Sequence, residues 1–152
     1  MSSHFFELFS PRDMLDKAKR EANRMAADLN NIDHIFNFFV TAYHIQDYIK
    51  STKTAPAADC KKLLATPDFE MCRFLCNKGK HLKLDDKSIK HQEASTHRRG
   101  GAAFGASAFN TVAFNAGPST VFAVDGQVVD IHALAKRLTE AWEAFFAARN
   151  IP

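Results

Sequence analysis

Apolar residues recur at three- and four-residue intervals from Met14 to Ile49, and that spacing predicts two consecutive amphipathic helices. Ser10 is placed to cap the first, with Pro11 at the first helical position, and Met14, Leu15, Ala18, Ala22, Met25 and Leu29 form its apolar stripe. Asn30-Asn31 reads as the break, and Asn31 or Asp33 as the cap of a second helix reaching about Lys50. That helix is apolar over more than half its circumference. Its polar strip is narrow, with Asp33, Asn37, Thr41 and His44 on it and Asp47 at its border. Such a helix belongs at the centre of its domain or in a dimer interface. Pro56 sits in a loop ahead of a short helical piece at 59–65. Thr66-Pro67-Asp68 then opens a helix expected to reach at least Leu75 and to run on toward Leu82. Gly79 weakens its last turn, and marks a helix end or the close approach of another backbone.

The pattern changes after position 84. Residues 85–101 are polar and basic and read as an exposed loop, whereas 102–124 are rich in Ala, Phe, Val, Thr and Gly and favour strands. Asp125-Gly126 between two apolar runs predicts a hairpin at 120–129, because Asp-Gly suits a type I′ turn. Asp130 can cap a closing helix at 131–149, striped by Leu134, Leu138, Ala141, Trp142, Phe145 and Phe146. The expectation is an α+β fold in one domain over 1–152. It comprises a helical part at 10–84, the basic loop, a β-hairpin region at 102–130 and a helix that docks back.

Composition adds three points. Fourteen Phe against one Trp and two Tyr imply a core of aromatic rings that need no hydrogen-bond partner. Three cysteines, an odd number, argue against a disulfide framework, and the N-terminus lacks the basic region of a secretory signal. No stretch approaches the run of about 18 apolar residues that spans a membrane. A cytoplasmic protein with no membrane partner is expected. The net charge of +3 hides an asymmetry, since residues 61–100 carry ten Lys/Arg against five Asp/Glu, while both flanking thirds are slightly acidic. A basic middle third can hold an anion or nucleic acid, or can be a solvated segment.

The richest chemistry lies in residues 72–81, Cys-Arg-Phe-Leu-Cys-Asn-Lys-Gly-Lys-His. On a helix, Arg73, Asn77, Lys80 and His81 share a side, which suits a phosphodiester and equally a solvated face. His44 and Asp47, three apart on the second helix, can hydrogen-bond to each other. With His81 they would form a two-His, one-carboxylate set compatible with iron or zinc, although no metal or other cofactor is expected. The C-x3-C-x4-H run of Cys72, Cys76 and His81 does not match zinc spacings, and both cysteines fall with Phe69 and Leu75 on an apolar side.

Asn77 and His81, with three residues between them, resemble the tail of the motif in HEPN domains, whose Arg position is held here by Cys76; Arg73 lies one turn earlier. The resemblance covers six residues and the helical context of 10–82. It implies a dimeric helical module that binds RNA and cleaves it without metal, in a phage-defence or toxin setting. In that reading His81, Asn77, His44 and Asp47 are catalytic, while Arg73, Lys78, Lys80, Arg98 and Arg99 bind nucleic acid. The Ala-Tyr-His-x-x-Asp-Tyr run at 42–48, with Asn-x-x-Lys-His and the late hairpin, also looks like small bacterial and phage-associated proteins to which no activity attaches. The alternative is a non-catalytic homodimeric structural or regulatory protein.

Overall fold

The computed structural model describes residues 7–29, 31–80, 94–99 and 119–152, with the backbone alone for 94–99, 119 and 120. Five helices and a three-stranded antiparallel sheet appear in the order α1 (Pro11–Ala27), α2 (Ile32–Thr52), α3 (Ala57–Leu64), α4 (Pro67–Lys80), β1 (Ala94–Arg99), β2 (Ser119–Val124), β3 (Gln127–Asp130) and α5 (Ile131–Ala148). The α+β class is as expected, mainly helical with the sheet ahead of the last helix.

Local chemistry accounts for most element ends. Ser10 and Asp13 form a reciprocal capping box at α1, so two otherwise orphaned backbone N–H groups are satisfied together. The hydrogen bond from Ser10 is the main reason the Asp13 carboxyl titrates below its ordinary value. Asn31 caps α2 by accepting from the Asp33 amide, and Asp130 caps α5 by accepting from the Ala133 amide. At the start of α4 the Thr66 hydroxyl donates back to the Leu63 carbonyl. Asp125 and Gly126 both take positive φ (48° and 79°), the type I′ geometry that lets β2 turn into β3.

β1 corrects the expectation of a loop over 85–101. Ala94 to Arg99 contain no Val, Ile, Phe, Tyr or Trp and one β-branched residue, Thr96, yet all six pair antiparallel with β2, from Ala94 opposite Val124 to Arg99 opposite Ser119. The ladder partner, rather than a side-chain pattern of their own, makes these residues a strand. The strands expected within 103–114 lie outside the described residues.

The core lies among α1, α2, α4, α5 and the inner face of β2. Trp142 of α5 is fully buried at its centre, edge-on to Phe69, Phe145 and Phe146, and its indole N–H donates to the Ala42 carbonyl of α2 at 3.0 Å. The phenylalanine-filled interior matches the composition. Three positions on α2 depart from its expected pattern. Thr41, expected on the polar strip, is buried and accepts a hydrogen bond from the Lys17 ammonium at 2.6 Å. Ile32 and Phe36, expected inward, are 52% and 38% exposed.

Candidate functional site

α2 and α4 pack against each other, and one result is a small polar cluster centred on His44. Asp47, one turn further along α2, holds the ring through a 2.6 Å contact between its Oδ2 and Nδ1 of His44. A carboxylate can only accept, so Nδ1 carries the proton and Nε2 presents a lone pair. Lys80 of α4 fills that lone pair, its Nζ lying 2.9 Å from Nε2. Tyr43 stands edge-on to the imidazole at 5.6 Å between ring centres. The imidazole is thus fixed in tautomer and orientation by groups from two helices.

Cys76 joins the cluster from beneath, with Sγ 3.9 Å from His44 Nε2. Its side chain is fully buried, and burial raises the thiol above its ordinary range despite the opposing pull of Lys80. A Cys–His–Asp alignment therefore exists, but its sulfur is a protonated, enclosed thiol and not a nucleophile. Cys72 is buried more deeply still, donates weakly to the Phe39 carbonyl and titrates well above the ordinary thiol range because of burial. Both cysteines pack in the interior, as their apolar side predicted.

The other expected site residues distribute unevenly. Arg73 and Asn77 are half-buried on α4, and their spacing from Cys76 and Lys80 puts them on the face that meets His44. Lys78 points elsewhere. It lines a groove of about 360 Å³ with Ile32, Phe36, Phe39, Leu75 and Phe122. Gly79 lines the same groove because Phe36 presses on it: a Cβ there would stand 2.7 Å from the Phe36 ring. Arg98 and Arg99 stand in β1 opposite Thr120 and Ser119. His81 lies outside the described residues, so its meeting with His44 is not part of the described cluster. Among the described residues no three His, Cys, Asp or Glu side chains gather as metal ligands.

A second polar cluster, at the α1–α2 contact, escaped the sequence reading. Glu21 is buried to 5% side-chain exposure, and its Oε1 accepts from Arg24 at 2.6 Å with Lys17 at 3.9 Å. Its Oε2 and Nδ1 of His34 face each other at 3.7 Å, both buried and neither hydrogen-bonded. The Lys17, Glu21, Arg24 spacing was visible on α1; the burial of the carboxylate was not.

No family model, curated protein or solved structure matches this chain. No described helix is long and apolar enough to cross a membrane.

Proposed function

We propose that the protein binds RNA on the α2–α4 face and cleaves it without a metal, as a HEPN-like ribonuclease of a phage-defence or toxin system. The observation that carries this reading is the oriented imidazole of His44, with Asp47 on Nδ1 and the Lys80 ammonium on Nε2. Lys80 is exposed and sits on a flexible stem, so an incoming phosphate draws its ammonium away. Nε2 then accepts the proton of the ribose 2′-hydroxyl, the 2′-oxygen bonds to the neighbouring phosphorus, and the 5′-oxygen departs with a proton from solvent. Lys80 and Arg73 neutralise the charge that develops on the phosphoryl oxygens, and Asn77 orients the ribose or the phosphate.

The test is cleavage of labelled single-stranded RNA in EDTA. The native chain should leave 2′,3′-cyclic phosphate ends, and His44→Ala should lower the rate by about 10²-fold or more. Full activity in His44→Ala, or a strict need for divalent metal, overturns the reading.

A specific observation favours the second reading, a homodimeric interaction protein. Ile32 and Phe36 are exposed at the apolar groove they share with Leu75 and Phe122. It predicts dimers in sedimentation that Phe36→Asp dissociates, with function indifferent to His44→Ala.

A further inference from the structure

α1 and α4 both pack on α2, and each sends a lysine to the same stretch of it. Lys80 of α4 reaches His44, and Lys17 of α1 reaches Thr41. Positions 41 and 44 are three apart on α2, so two lysines from different elements reach neighbouring positions of one helix. From Lys17 the positive charge continues along α1. Arg20 and Arg24 follow at helical spacing and extend the line by about 10 Å.

Glu21 does not cancel this line. Its carboxylate is buried, accepting from Arg24 and facing Lys17 at 3.9 Å, while Arg20 and Arg24 stay exposed. Lys17 titrates below the ordinary lysine value chiefly because of burial; Glu21 opposes this, and Arg20 and Arg24 each add a smaller repulsion. An arriving anion relieves that repulsion. Lys80, Lys17 and Arg24 are held by His44, Thr41 and Glu21 before any ligand comes, which lowers the ordering cost of binding.

We propose that this line extends the His44–Lys80 surface, so that the ligand is a single nucleic-acid strand several nucleotides long, running from Lys80 across α2 to Lys17 and along α1 past Arg20 and Arg24. The proposal rests on the nucleic-acid reading above and adds strand length and polarity of charge to it. A mononucleotide or free phosphate would use Lys80 and Lys17 and leave Arg20 and Arg24 idle. A duplex would need a second row of cations for its other backbone, and the line described is single.

The experiment titrates the full chain with labelled oligouridylates of two, four and eight nucleotides, with uridine monophosphate and with an eight-base-pair duplex, from 50 to 200 mM salt. Affinity is expected to rise steeply from the dimer to the octamer. Each phosphate contact on a single strand contributes about 0.7 to the slope of log affinity against log salt. Arg20→Gln, an exposed change, should therefore flatten the octamer slope by about 0.7 with an unchanged melting temperature. Lys17→Met/Arg20→Gln/Arg24→Gln together should flatten it by about 2 and abolish the advantage of the octamer over the dimer. An octamer that binds no tighter than the dimer, a duplex that binds best, or slopes unmoved by the α1 substitutions while Lys80→Met still weakens binding, each overturns the strand proposal alone. A native chain that binds no oligonucleotide in a salt-dependent way overturns the nucleic-acid reading with it.

Discussion

Single residues decide whether the α2–α4 contact forms as described, and Gly79 is the sharpest case. In the sequence it reads as a weak last turn, a helix end or a place where another backbone comes close; in the structure it is the Phe36 side chain that fits there. Alanine there offers about 1 kcal/mol of helix propensity but drives a methyl group into that ring. Gly79→Ala should thus destabilise the protein by about 1 kcal/mol in the native background and stabilise it by a similar amount in Phe36→Ala. A double-mutant cycle by urea unfolding measures this, and equal effects in both backgrounds would refute the contact as the cause. Thr41 carries a related lesson. Its hydroxyl reads as one more member of a polar strip, and only the approach of Lys17 turns it into a buried acceptor. His44 was legible as a partner of Asp47 from their spacing alone, whereas Lys80 and Cys76 reach it from a helix 32 to 36 positions away.

Whole elements behave as their caps and stripes foretell, and their mutual clamps do not. α1 and α5 are joined by Glu143, which accepts from Arg12 and pairs with Lys19. These hydrogen bonds, Lys19 first, hold the Glu143 carboxyl below its ordinary 4.5. A carboxyl lowered on folding contributes stability above its unfolded value and loses it as pH falls through the folded one. Glu143→Gln should accordingly destabilise the protein at pH 7, and the difference from native should shrink as pH falls below 4.5 and vanish once the folded carboxyl is protonated. Glu143 is over a third exposed, so screening limits the effect at pH 7 to about 1 kcal/mol or less. Urea midpoints at the two pH values check it, and a difference that grows on acidification contradicts it. β1 shows the converse: its six residues carry no strand pattern, and they become a strand because β2 offers a ladder.

For the molecule as a whole, Trp142 is the residue that ties the last helix to the first half of the chain. It fills the centre of the phenylalanine core and donates to α2. Trp142→Phe keeps an aromatic ring but leaves a cavity and removes that donor, and about 2–4 kcal/mol of stability should be lost in chemical denaturation. A loss under 1 kcal/mol would mean that α5 docks by its salt bridges rather than its ring. What the amino-acid order settles here is local: helix starts from Ser10, from Asn31 or Asp33, and from Asp130, the Asp-Gly turn, the apolar stripes and hence the α+β class. Those signals need only neighbours three or four positions away, or the φ that one residue tolerates. Burial of Glu21 and Thr41, the strand state of Ala94–Arg99, and the convergence of Lys17 and Lys80 on α2 were decided by packing. Each depends on which distant element arrives and from which side, and no spacing along the chain encodes that.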